Sequence, residues 1–196
     1  MKIVSINLGN FGSTGNIAQG ISEIASEQHQ AFFLYPQNSN NRPVKQNDIL
    51  ICSNFTRRVS ERFAYVTGFR GYTPLLSSVR MIRKLEKIKP DIIHLHNLHN
   101  CYINLPMLFS YIKRHRVRVI WTLHDCWSFT GQCPYFLMAK CDKWKTGCHH
   151  CPQYREYPAA MVDRTKTMWK LKNKWFTGVE DMTIVTPSQW LADLVK

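Results

Sequence analysis

The chain has 196 residues, 44% of them apolar, and its 26 basic against 13 acidic side chains give a formal charge of +13. That length and apolar content suit a single domain with a real buried core. No stretch approaches a transmembrane span, and the apolar run in MKIVSINLGN is too short for a signal peptide, so the expected compartment is the cytoplasm. There, seven cysteines read as thiols or metal ligands rather than as a disulfide scaffold. The positive charge either solubilises the surface or implies an anionic partner such as a nucleotide, a pyrophosphate-linked substrate or phospholipid. No nucleic-acid motif is visible, so no nucleic-acid partner is expected.

In chain order, Ile3–Ile6 is a first short strand, and LGNFGSTGN is a glycine-rich turn that leads into a helix. Gly9, Gly12 and Gly15 allow tight turns and close approach of a ligand, and Ser13 or Thr14 is placed to cap a helix with Ile17, Ile21 and Ile24 on one face. The spacing departs from GxGxxG and from the Walker loop, so a purely structural turn stands as the alternative. Ala31–Tyr35 reads as the next strand, 36–48 as a polar loop, Ile49–Ser53 as a short strand, and Phe55–Val66 as a helix exposing Arg57, Arg58 and Arg62.

Thr73-Pro74 starts a helix over Leu75–Ile88 in which Leu75, Val79, Ile82 and Leu85 recur at helical spacing. Arg80, Arg83, Lys84 and Lys87 gather on that helix as a basic stripe. It suits peripheral contact with an anionic membrane or, more plainly, a solvated face. Pro90 ends the helix, and Asp91–His96 is a buried strand with polar groups at its end. Asn104 caps a helix with Leu105, Leu108 and Ile112 inward, and Val117–Leu123 is the following strand. Beyond a long loop, Thr165–Phe176 reads as a helix, Met182–Thr186 as a strand and Ser188–Lys196 as a final helix. Strands alternating with helices, several of them almost wholly apolar, predict an α/β fold with a doubly wound, Rossmann-like parallel sheet.

The long loop, 124–158, holds five of the seven cysteines. Its length marks it as functional or internally stapled. Cys133, Cys141, Cys148 and Cys151 have the look of a four-thiolate structural zinc site with a terminal CxxC, against free thiols or a conditional disulfide. A polar loop of this length is expected to lack an apolar core of its own. In a parallel sheet the strand ends share one rim, so the glycine loop, His94/His96/His99 and His124-Asp125 can converge on one cleft. At that rim His124 can hydrogen-bond a substrate hydroxyl or phosphate, while Asp125 orients it or caps the next turn. His94 and His96 point the same way from their strand and resemble the HxH of metal-dependent hydrolases. No acidic ligands follow to complete such a site, and one buried histidine (His94) beside one at the rim (His96) is the plainer reading.

KIVSINLGNFGSTGNIA, PDIIHLHNLH, VIWTLHDCWSFTGQCPYF, CDKWKTGCHHCPQ and IVTPSQWLADLV together resemble a family 4 glycosyltransferase, in particular the bacterial enzymes of capsule, exopolysaccharide and O-antigen synthesis. The resemblance implies a GT-B fold, with this chain as the N-terminal, acceptor-side half over residues 1–196, the cysteine-rich loop an insertion in it, and the C-terminal donor domain absent. It implies retaining transfer of a sugar from a nucleotide-sugar donor to a glycan or polyprenyl-linked acceptor, without a catalytic metal, on the inner face of the plasma membrane. By resemblance, Gly12, Ser13, Thr14 and Gly15 form the loop near the donor phosphates, and His96 and Asn97 stand on the acceptor side. His124 matches the histidine that reaches the transferred sugar, with Asp125 its neighbour. Asn16 departs from the pattern, which has a basic residue there. A half-enzyme is expected to turn over little alone. Two other readings stay open, a non-catalytic zinc-stapled sugar- or lipid-binding module and a metal-dependent hydrolase using His94 and His96.

Overall fold

A computed structural model describes residues 1–195. Six parallel strands form one sheet: β1 (Lys2–Ile6), β2 (Gln30–Tyr35), β3 (Asp48–Leu50), β4 (Ile92–Leu95), β5 (Arg118–Thr122) and β6 (Met182–Val185), in the order β3-β2-β1-β4-β5-β6. The helices are α1 (Gly12–Ser26), α2 (Asn54–Thr67), α3 (Leu75–Ile88), α4 (Leu105–His115), α5 (Thr165–Phe176) and α6 (Gln189–Val195). Every pairing in this sheet is parallel, and the order reverses between β1 and β4. That reversal opens a crevice at the strand C-termini, where open α/β sheets take their ligands.

The core forms because the central strands are apolar on both faces. Val4, Ile6, Leu34, Ile93, Leu95 and Val119 are fully buried. Between β5 and its helices an aromatic cluster takes over: Phe176 lies 4.8 Å from both Phe109 and Trp121, measured between ring centroids. Ring pairs at such separations add to the burial term. Asn104 caps α4 by accepting from the Met107 N–H at 3.0 Å, with Leu105, Leu108 and Ile112 inward as the spacing predicts.

Five local expectations need correction. Ile17, Ile21 and Ile24 lie on the exposed side of α1, which instead buries Gly15, Ala18, Gln19 and Ser22. The reason is close approach: a Cβ on Gly15 would stand 2.9 Å from the Asn10 carbonyl carbon, so small residues must face inward there. Neither Ser13 nor Thr14 caps α1; Phe11 holds the cap position without a side-chain bond. Ser53 belongs to no strand, since its hydroxyl accepts from the Thr56 N–H at 3.1 Å and caps α2. On α3 the buried positions are Ser78, Met81 and Leu85, while Leu75 is exposed. Arg57 is likewise drawn in, paired with Glu61 one turn along α2. Of the final helix, Lys196 lies outside the described residues.

The cysteine-rich segment between β5 and α5 corrects a further expectation, because it has an apolar core of its own. Phe129 and Phe136 pack on Trp144 at 5.2 and 5.0 Å, and Trp169 of α5 donates its indole N–H to the Trp144 carbonyl at 3.0 Å. The backbone is pinned as well: Cys126 N–H donates to Pro134 O at 3.0 Å, and the Gln132 amide donates to both Tyr154 O and Pro158 O.

Candidate active site

At the crevice, Asn7 follows the last residue of β1. Its side chain donates to Gly9 O at 2.8 Å and accepts from the Asn97 backbone N–H at 3.2 Å. One buried amide thus ties the glycine loop to the end of β4. Tyr102 adds a second tie by donating its hydroxyl to Asn97 O at 2.7 Å. Gly12 opens α1 in the left-handed region, φ 71°, with open space where a Cβ would lie. A helix N-terminus beside open space suits an anionic group. Ser13 is exposed and Thr14 half-buried, so both hydroxyls stand at that opening.

The histidines form a ladder across β4 and β5. His94 Nε2 lies 2.8 Å from Thr122 Oγ1, and the His94 and His96 rings are 4.2 Å apart. His96 Nδ1 is 3.1 Å from His124 Nε2. His96 is not at the rim: it is 1% exposed, and its backbone carbonyl accepts the Trp121 indole N–H at 3.0 Å. Burial drives the ring down to a pKa of about 2, aided by repulsion from its histidine neighbours, and holds His94 at about 4. His124, half-buried, is also lowered by burial, with Asp125 opposing. All three rings are therefore neutral at neutral pH.

The tautomers follow from the network. His96 Nε2 has no hydrogen-bond partner among the described residues. A buried N–H without a partner costs more than an unused lone pair, so the His96 proton sits on Nδ1 and is donated to His124 Nε2. His124 then carries its own proton on Nδ1, the donor it has to offer a substrate. Because Thr122 and His124 already engage His94 Nε2 and His96 Nδ1, the HxH pair is a hydrogen-bonded ladder.

Asp125 turns away from His124. Its Oδ1 accepts the Trp127 N–H at 2.8 Å and caps the turn, while its Oδ2 lies 3.1 Å from His99 Nε2. A carboxylate only accepts, so His99 donates from Nε2, leaving Nδ1 facing Asn100 Oδ1 at 3.2 Å and the Tyr157 hydroxyl at 3.4 Å. The structure thus brings together Gly12–Gly15, His96, Asn97, His124 and Asp125. It places His99, grouped with this cleft in the sequence, on Asp125, and it adds Asn7, Thr122 and Tyr157, to which sequence reasoning gave no role. Asn7 had a signal, a polar residue directly after a buried parallel strand; Tyr157 had none, since it reaches the rim from a distant loop.

Cys133, Cys141, Cys148 and Cys151 stand apart from this rim and line one small cavity with Trp144 and Thr165. Burial raises the Cys133 thiol to about 11 and lifts those of Cys148 and Cys151. Among the described residues no three His, Cys, Asp or Glu side chains are grouped so that they could hold a metal ion. The Gly131 N–H is nevertheless aimed at Cys148 Sγ at 3.0 Å. Lys172 of α5 is fully buried beside the cluster, donating to Trp127 O and lying 4.0 Å from the Trp127 ring centre. Burial lowers its ammonium to about 7, with Cys148, Asp125 and Cys133 opposing.

The family model described as Glycosyltransferase Family 4 matches residues 21–196. The chain belongs to glycosyltransferase family 4. This family 4 chain is also similar to the colanic acid biosynthesis glycosyl transferase WcaC of Escherichia coli, 35% identical over 111 residues. The matched stretch covers 53% of this chain and 27% of that relative, so the family 4 chain spans about a quarter of the relative's length. The sheet described above is the Rossmann-like layer that the resemblance implies.

Proposed function

We propose that this chain is the acceptor-side domain of a retaining glycosyltransferase with a GT-B arrangement, which moves a sugar from a nucleotide-sugar donor onto a polysaccharide or lipid-linked glycan. The observation that carries the reading is the convergence of the glycine loop, the His96–His124 pair and Asp125 on the rim where strand order reverses. Family membership and the similarity to a colanic acid biosynthesis enzyme support it. In this reading the open N-terminus of α1 faces donor phosphates, and His124 gives its Nδ1–H to a hydroxyl of the transferred sugar. Asp125 holds His99 on the acceptor side, and a second domain supplies the groups that grip the donor pyrophosphate. Incubating the chain, paired with a family 4 donor-side domain, with nucleotide sugars and polyprenyl-pyrophosphate-linked glycan, with mass analysis of the lipid product, tests it. A mass increase of one sugar is expected; hydrolysis of the linked glycan without sugar addition favours the hydrolase reading.

The cysteine cavity belongs to the same proposal as a structural zinc site. Its support is the four thiols on one cavity, the Gly131 N–H aimed at a sulfur, and a buried lysine to offset the net double negative charge of four thiolates on zinc. Bound zinc would fix the loop's shape. Metal analysis of reduced protein should find about one zinc per chain; metal-free protein with four freely titrating thiols contradicts it.

Peripheral contact with an anionic membrane on the cytoplasmic face completes the reading. No described helix is long and apolar enough to cross a membrane. Arg80, Arg83, Lys84 and Lys87 are exposed on α3, and α2 exposes Phe55, Val59 and Phe63 beside Arg58 and Arg62. Apolar and cationic groups interleaved on one helix suit an anionic interface. Sedimentation with phosphatidylglycerol vesicles, but not with phosphatidylcholine vesicles, is expected, and it should weaken in Phe55→Ser/Phe63→Ser; equal partition between the two lipids contradicts the charge component.

A further inference from the structure

Helices α3, α4 and α5 lie side by side, α3 packing on α4 and α4 on α5. Neither α4 nor α5 contains an aspartate or glutamate, and α3 has only Glu86. Between α4 and α5 runs an open groove of about 640 Å³, within the roughly 300–1,000 Å³ of small-molecule sites. Tyr72, Phe109, Leu171 and Trp175 give it an apolar floor, where Tyr72 and Trp175 meet edge to face with centroids 5.1 Å apart. Lys113, Arg114 and Lys174 line it from the last turns of the two helices, so its cations gather at one end. The Lys113 ammonium donates to Lys174 O at 3.2 Å, which ties those turns together. Carboxylates at that end are already engaged, Glu86 with His115 at 3.0 Å and Glu180 with Arg116 at 3.2 Å. Among the described residues Lys113, Arg114 and Lys174 form no ion pair. Lys113 is half-buried, and burial lowers its ammonium with no carboxylate opposing.

Cations in a last turn offset the helix dipole, and for an exposed lysine that is account enough. A half-buried ammonium without a carboxylate, at the end of an aromatic groove, is a different matter, because an unpaired charge is costly to desolvate. Each helix end contributes only about half a negative charge, so three cations leave that end of the groove positive. An occupant that satisfies both parts carries an apolar chain and an anionic head. We propose that the groove between α4 and α5 binds one anionic phospholipid, with an acyl chain along Tyr72, Phe109, Leu171 and Trp175 and its phosphate at Lys113, Arg114 and Lys174. Guanidinium and ammonium groups give a phosphate short, charge-assisted bonds. The inference rests on the reading of α2 and α3 as a membrane face. It is continuous with that face, since α3 lies in the same layer and exposes Arg80, Arg83, Lys84 and Lys87. That continuity favours a lipid over an acidic peptide as the occupant.

Calorimetric titration of the full chain with dihexanoyl phosphatidylglycerol, held below its micelle concentration, reads the groove without a membrane surface. One saturable site per chain is expected, and none for dihexanoyl phosphatidylcholine. Affinity should fall about tenfold (about 1.4 kcal/mol) in Arg114→Gln/Lys174→Gln. It should fall as far in Ser110→Trp, which fills the groove from an exposed position and keeps every charge. Arg83→Gln/Lys87→Gln removes the same charge from α3 outside the groove and should leave affinity unchanged, with all three variants unfolding at the unsubstituted thermal midpoint. The absence of a saturable site, equal binding of the phosphatidylcholine, or an equal loss in the α3 variant overturns the groove. Binding of an alternating leucine–glutamate peptide without phosphatidylglycerol binding overturns the lipid in favour of a protein partner. Sedimentation with phosphatidylglycerol vesicles by a protein that lacks the short-chain site rejects the groove and leaves the membrane reading standing. A short-chain site in a protein that ignores vesicles does the reverse.

Discussion

His96 shows how one buried side chain sets the chemistry of another. Placed just after β4 and pinned through its carbonyl by Trp121, it can offer a single proton, and among the described residues the neighbour that takes it is His124. Replacing His96 by Gln keeps a donor but loses the ring. Expected is a drop in kcat with little change in acceptor KM, because His124 is freed to adopt the wrong tautomer; a pure KM effect contradicts a positioning role. The same burial makes the fold acid-sensitive. Both folded pKa values, about 4 for His94 and about 2 for His96, lie below the value of a free histidine. The unfolded chain therefore binds the protons first as pH falls, and stability is complete above about pH 6.5 and lost below it. The slope is about 1.4 kcal/mol per pH unit for each ring, down to about pH 4. Urea titrations at pH 7 and pH 5 measure it, and equal stability at both contradicts neutral, buried rings. Lys172 is the counterpart on the thiol side. In Lys172→Met the zinc affinity should fall roughly tenfold or more, as loss of a supporting charge does, read by competition with a chromogenic chelator. An unchanged affinity removes Lys172 from the site.

At the scale of elements, the cysteine-rich segment depends on close backbone approach. A Cβ on Gly131 would meet Thr165 O at 2.6 Å and Cys148 Cβ at 2.7 Å. Backbone cannot yield as a flexible side chain can, so Gly131→Ala should destabilise the fold by about 1–3 kcal/mol and displace Cys148. Thermal unfolding with and without chelator checks this, and a midpoint like that of the unsubstituted protein contradicts it. These contacts also explain what could be read from sequence. Strands β1, β2, β4, β5 and β6 and helices α3, α4 and α5 follow from apolar runs, caps and proline breaks, because burial of a regular element imposes a regular pattern. The buried face of α1 did not, since Gly15, Ala18, Gln19 and Ser22 carry almost no hydrophobic signal and Ile17 and Ile21 carry a false one. The loop's own core was hidden for another reason. Phe129, Phe136 and Trp144 meet through irregular backbone, and no period marks them.

For the whole molecule, topology does most of the assembly. The order β3-β2-β1-β4-β5-β6 places the ends of β1, β4 and β5 side by side, so residues far apart in the chain share one rim. The convergence of the glycine loop, His96 and His124 was legible in advance from that rule. The exchange of partners within the rim was not: Asp125 serves His99 rather than His124, and neighbouring residues at a strand end diverge in ways that spacing does not encode. The central claim is that this rim performs glycosyl transfer through His124. Its most direct measurement is the rate of sugar transfer from a nucleotide sugar to polyprenyl-linked glycan by the chain paired with a family 4 donor-side domain and by the same pair carrying His124→Ala, compared at saturating acceptor. The account predicts transfer by the first and a loss of about 10²–10³ in kcat for the second, with stability to urea retained. Transfer by His124→Ala at the rate of the unsubstituted protein would contradict it.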